Sequence, residues 1–184
     1  MSDSNFDFLA EHDAVFLQIA VSAERAFAYD PNTTLYKVRQ LAEAFAQDVA
    51  LRSNIAFDQQ TSQADLLYQL NRKINLDQTV RDLFHVLRIE GNKAVHQFQT
   101  SHREALGGLK LARELAVWYH QSFGEKRDQF KAGKFIMPKD PSVELQALHS
   151  EVEQLKASLL DANKQVEESQ ELIDLKASEA KEYE

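Results

Sequence analysis

Hydrophobic residues recur at helical spacing along almost the whole chain. Val15, Phe16, Ile19, Ala23 and Ala26 predict a helix from about Glu11 to Ala28, preceded by the apolar Phe6, Phe8 and Leu9. Asp30-Pro31-Asn32-Thr33-Thr34 breaks that pattern, and Asn32 or Thr33 supplies the next cap. Leu35, Val38, Ala42, Phe45 and Val49 then step three, four, three, four, the cleanest amphipathic stripe of the body, on a helix from about Thr34 to Leu51. Lys37, Arg39 and Glu43 fall off that stripe and are assigned to solvent. Residues 52–61 have no period and read as a loop. Ser62-Gln63-Ala64-Asp65, a capping box with Asp for Glu, opens a short helix through Leu66, Leu67 and Leu70.

Leu83, Phe84 and Leu87 place the next helix from about Asp77 to Glu90, where Gly91 suits the C′ position and Asn92 the following N-cap. Ser101-His102-Arg103-Glu104 is a full capping box. Behind it Ala105, Leu109, Ala112, Ala116, Tyr119 and Phe123 form a stripe that Leu106 and Leu115 widen. Gly107 and Gly108 sit inside this helix at a cost of about 1 kcal/mol each, which close packing against a neighbour would explain. Trp118, Tyr119 and His120 offer a base-stacking surface on one reading and core on the other; the spacing favours core. Residues 124–141 form a linker in which Lys126, Arg127, Lys131, Lys134 and Lys139 alternate with Phe130, Phe135, Ile136 and Met137. It reads as a solvated connector, or as a strap or nucleic-acid contact.

The tail carries the strongest periodic signal. Leu145, Leu148, Val152, Leu155, Leu159, Ala162, Val166, Ser169 and Ile173 fill a and d positions of four heptads, and the seam decays after Ala162. So narrow a stripe requires a partner helix, and a pattern still running at Tyr183-Glu184 reads as a truncated chain.

Composition agrees with helices. With 5 Gly, 3 Pro and 43% hydrophobic residues in 184, a helical core is favoured over a many-turned β fold. The absence of Cys excludes disulfides and Cys-based zinc sites and fits a reducing, cytoplasmic setting. The acidic N-terminus lacks the pattern of a signal peptide, and no apolar run is long enough to span a membrane. Of the net charge of −8, −7 falls in residues 142–184, leaving −1 on the body, so overall charge does not exclude a local phosphate site there.

Candidate chemistry concentrates in Arg88, Asn92 and His96. On one reading Gly91 and Asn92 are stop and start signals, with His96 hydrogen-bonded beside the core. On the other the three converge on a phosphate or a scissile ribose, Arg holding phosphate and His moving a proton. The first is favoured from the residues alone. There is no phosphate loop, no His-Glu-x-x-His and no Gly-x-Ser-x-Gly. Glu179-Ala180-Lys181, with Asp174 upstream, matches a nuclease-like Glu-x-Lys but lies on the tail helix. His85, His96 and His102 are spaced too irregularly for a metal, and no metal site is expected.

The order of Ser4-Asn5-Phe6-Asp7-Phe8-Leu9, Asp30-Pro31-Asn32-Thr33-Thr34-Leu35 with Lys37 and Arg39, Phe84 to His96, Leu115-Ala116-Val117-Trp118-Tyr119 and the acidic coiled coil resembles the N-terminal part of type I restriction-modification R (motor) subunits. The resemblance implies a parent that uses ATP and magnesium to translocate and cut foreign DNA, alongside methyltransferase and specificity subunits. For this stretch it implies an accessory domain in assembly or nucleic-acid contact, with no cofactor of its own. Gly91-Asn92-Lys93-Ala94-Val95-His96 also resembles the signature of HEPN-like helical domains, many of them metal-independent ribonucleases with an Arg-Asn-x-x-x-His motif. Asn92 and His96 match that motif, Gly91 stands where its Arg would be, and Arg88 lies one turn earlier.

The sequence therefore predicts an all-α, HEPN-like helical bundle over 1–123, a basic linker over 124–141 and a coiled-coil helix over 142–184. No residue is expected to be catalytic with assurance; Arg88, Asn92 and His96 are the candidates. With Lys126, Arg127, Lys131 and Lys134 they are also the nucleic-acid-binding candidates, and Leu145, Leu148, Val152, Leu155, Leu159 and Val166 those for oligomerisation. A ribonuclease and a coiled-coil dimeriser are the alternative functions.

Overall fold

The computed structural model describes residues 4–97, 100–125, 127–138 and 141–182. Among them there are six α-helices, two short 3-10 turns and no strand. The chain divides into two units, Met1–Lys139 and Asp140–Glu184.

In the first unit, α1 (Ala14–Phe27) starts at Asp13, whose carboxylate accepts from Val15 N–H. Its buried face is Phe16, Ala20, Ala23 and Phe27, whereas Val15 is 48% exposed. The buried face is thus turned by one position from the predicted stripe, and a 3-10 turn over Asp7–Glu11 delays the start of the helix. Helix α2 (Pro31–Arg52) begins three residues earlier than the periodicity indicates. Asp30, not Asn32 or Thr33, is its cap, accepting from Thr33 N–H, and Pro31 sits at the first turn, where its missing N–H costs nothing. Leu35, Val38, Ala42, Phe45 and Val49 are all buried, as expected. α2 packs on α1, α3, α4 and α5 and is the centre of the bundle.

Helix α3 (Gln63–Ile74) is capped by Ser62 and ended by Asn75 in the left-handed region at φ 48°. Helix α4 (Gln78–Gln97) overturns the predicted stop at Gly91 and start at Asn92, since it runs through both without a break. No glycine has positive φ. Gly91 is instead a packing residue: a Cβ there would lie 2.4 Å from the Cβ of Arg39. Arg39, assigned to solvent by its place off the α2 stripe, lays its aliphatic stem across Gly91.

Helix α5 (His102–Phe123) carries the capping box, Ser101 and Glu104 each accepting from the other's backbone N–H. Gly108 meets α2, where an added Cβ would lie 2.4 Å from Leu35 Cδ2, but Gly107 faces open space. Close packing thus accounts for one of the two glycines. Trp118 is partly buried, while Tyr119 and His120 are core, which removes them as a stacking surface.

The segment after α5 folds back on the bundle. Asn5 and Ile136 exchange two hydrogen bonds, Nδ2 to O at 2.8 Å and N to Oδ1 at 2.7 Å. Arg113 donates to the Asn5 and Gly133 carbonyls, and Phe130 packs on Phe8 and His120. Of the readings of this segment, a solvated connector is not what the structure holds; the hydrogen-bonded segment is a strap. Local spacing does not choose between the readings, because the anchor, Asn5, lies more than a hundred residues away.

The second unit is one helix, α6 (Pro141–Glu182).

Candidate functional site

Helix α4 has two opposed faces. Val80, Leu83, Phe84, Leu87, Gly91 and Ala94 are buried against the bundle. Because the helix is unbroken, Arg88, Asn92 and His96 stand at i, i+4 and i+8, a single stripe one turn apart. Arg88 and Asn92 are half-buried and His96 is exposed. His96 hydrogen-bonds no described side chain, so it is not the satisfied residue beside the core that the capping interpretation required.

Arg88 opens into a groove of about 340 Å³ between α3 and α4, which it lines with Tyr68, Asn71, Arg81, Asp82 and His85. Arg81 is occupied: it donates to Asn71 Oδ1 at 2.9 Å, to the Leu76 carbonyl at 3.0 Å and to Gln78 Oε1, tying the start of α4 to the end of α3. Gln78 in turn donates to Asp82 at 2.6 Å. Arg88 has no such partner among the described residues. Tyr68, 64% exposed, forms the opposite rim, with the Arg72 guanidinium 5.8 Å from its ring centre. The groove therefore offers one uncommitted guanidinium, one imidazole and one exposed aromatic ring, beside the Asp82 carboxylate that Gln78 engages. That set can hold a phosphate and stack a base.

The position that holds Arg in the HEPN motif is Gly91, on the packed face, about sixty degrees around the helix from Arg88. A long side chain has no room there. Arg39, whose Nε is buried without a partner and whose Nη2 lies 3.7 Å from Glu43, is the guanidinium-bearing residue packed over it. The residues do not match the cofactors of the implied parent either. No phosphate loop is present, and no three His, Asp or Glu side chains converge to hold a metal among the described residues.

Of the linker candidates, Arg127, Lys131 and Lys134 are exposed, Arg127 donating to the Ser122 carbonyl at 3.3 Å, and Lys126 lies outside the described residues. No described contact joins them to the α4 stripe. On α6, Leu148, Val152, Leu155, Leu159 and Val166 are all exposed, at 39–67%. The side chain of Leu145 lies outside the described residues.

Periodicity gave no sign of a second polar centre. His12 Nε2 lies 3.0 Å from His120 Nδ1, Tyr119 donates to Asp48, and Asp48 pairs with Arg52. Burial, then the neighbouring His120 and Arg52, push the His12 imidazole below its usual value of 6.5. Burial and the hydrogen bond to Asp48 raise the Tyr119 phenol. The cluster ties the turn before α1 to α2 and α5 and lines no part of the groove described above.

The described residues of the first unit form an all-helical bundle, and that is the class the fold defines. Over 138 residues, 75% of the chain, the sequence is 37% identical to the endonuclease subunit of the type I restriction enzyme EcoKI of Escherichia coli (strain K12). The chain belongs with the N-terminal region of type I restriction enzyme R subunits. It spans 12% of the length of that relative. No family model matches the chain, and no solved structure matches it significantly. Among the described residues no helix is long and apolar enough to cross a membrane.

Proposed function

We propose that this region is an accessory nucleic-acid contact of a type I restriction complex, binding single-stranded DNA in the groove between α3 and α4. The parent would be an ATP- and magnesium-dependent DNA translocase and endonuclease, assembled with methyltransferase and specificity subunits, and the catalytic machinery would lie in its other regions. The observation that carries the reading is the unpaired Arg88 facing an exposed Tyr68 across a groove. A cation tracks the phosphate, and an aromatic ring stacks any base without needing its sequence. An exposed ring favours unpaired bases, since a duplex keeps its own stacked.

The test is fluorescence anisotropy with labelled single-stranded and duplex DNA at low salt. Single strands should bind more tightly, and Tyr68→Ala should weaken them by roughly 5- to 150-fold, at about 1–3 kcal/mol per stacked base. Equal affinity for both forms, unchanged by Tyr68→Ala, would remove the proposal. Ribonuclease chemistry by Arg88, Asn92 and His96 is not favoured, because Gly91 leaves the motif without its Arg. Turnover of labelled RNA that vanishes in His96→Ala would reinstate it.

A further inference from the structure

Among the described residues, nothing in its own unit covers the seam of α6. We infer that its partner is a second copy of this chain, bound parallel and in register. The argument is one of charge placement. With Val152, Leu159 and Val166 at a and Leu148, Leu155 and Ala162 at d, positions e and g flank the seam and face the partner helix.

Helix α6 is strongly acidic, and acid beside the seam would drive two copies apart. Between positions 152 and 170 it is placed elsewhere. Glu153 and Glu167 occupy b, Asp161 and Glu168 occupy c, and Lys164 occupies f, all pointing away from a dimer interface. The e and g positions over 156–170 are Lys156, Ser158, Asn163, Gln165 and Gln170, uncharged but for Lys156. The g position before Lys156 is Glu151, five residues upstream. That separation brings g of one helix to the following e of its partner in a parallel, in-register pair, and two copies make the contact twice. An antiparallel pair sets g against g and e against e, which leaves both charges unmatched. Lys156 now reaches Glu153 at 3.0 Å, an exposed pair that costs little to exchange. Val at two of the three a positions and Leu at two d positions favour two strands over more.

The chain has no cysteine, so one introduced thiol reports geometry. In the full chain, Val152→Cys should form an intermolecular disulfide under mild oxidation, because only a parallel, in-register pair sets position 152 against itself. Sedimentation of the unsubstituted chain should move from 21.0 kDa toward twice that mass as concentration rises through the micromolar range. Lys156→Glu should weaken the dimer several-fold, and adding Glu151→Lys should restore it. A monomer at every concentration would assign the seam to a different chain and overturn the inference. A dimer in which Val152→Cys fails to cross-link and the charge swap fails to rescue would overturn the parallel register.

Discussion

Helices α2 and α6 carry the same kind of message and meet opposite fates. Each has an apolar stripe stepping three and four. On α2 the stripe ends 0–2% exposed at Leu35, Val38, Ala42, Phe45 and Val49, while on α6 it remains 39–67% exposed at Leu148, Val152, Leu155, Leu159 and Val166. The difference lies in the neighbours. Helices α1, α3, α4 and α5 pack on α2 and carry apolar faces of their own, so its face is covered within the chain. α6 follows the linker with no second helix in its unit. Periodicity tells which face of a helix is apolar; it does not tell what covers that face.

The largest test of this contrast is Phe45→Ala. Phe45 is fully buried between Phe16 and Tyr119, whose ring stacks on it at 4.4 Å, so its removal should cost about 3–5 kcal/mol in denaturant unfolding. An unchanged midpoint would show α2 to be uncovered as well. Next come the glycines. Gly91→Ala should destabilise by about 1–3 kcal/mol, because Arg39 Cβ cannot step aside without moving α2. The same change at Gly107, which meets nothing, should stabilise by up to about 1 kcal/mol. Shifts of like sign at both would contradict the close approach of α4 to α2. On α6, Leu155→Ala should leave the melting of the bundle within about 0.5 kcal/mol of the unsubstituted chain, while lowering self-association.

The smallest effect belongs to His12. Its folded value lies below 6.5, so the unfolded chain takes up the proton first and stability falls as pH drops through and below 6.5 toward that lower value. Melting measured between pH 7.5 and 5.5, bounds chosen about a unit either side of the ordinary imidazole value, should decline with acid less steeply in His12→Gln. Equal slopes would show that the pair with His120 adds nothing.

Most of the helices were legible in residue spacing and caps: Ser62, Ser101 and the α2 stripe each stand where expected. Gly91 and Asn92 misled, because glycine at a helix end and glycine under a crossing helix leave the same mark in a sequence. Only the position of Arg39 on α2 tells them apart, and that is a tertiary fact. The groove was half legible. Arg88 stands out in the sequence, but Tyr68 lies on another helix and no local pattern pairs the two. The His12–His120 pair joins residues over a hundred positions apart, and no local pattern predicts it.

The most direct measurement of the functional claim is the salt dependence of single-stranded DNA binding in the full chain and in Arg88→Ala. If the Arg88 guanidinium neutralises a phosphate, the slope of log affinity against log salt should fall by roughly 0.7–1 in the variant, with Tyr68→Ala leaving the slope unchanged. Identical slopes for the full chain and Arg88→Ala would contradict the account.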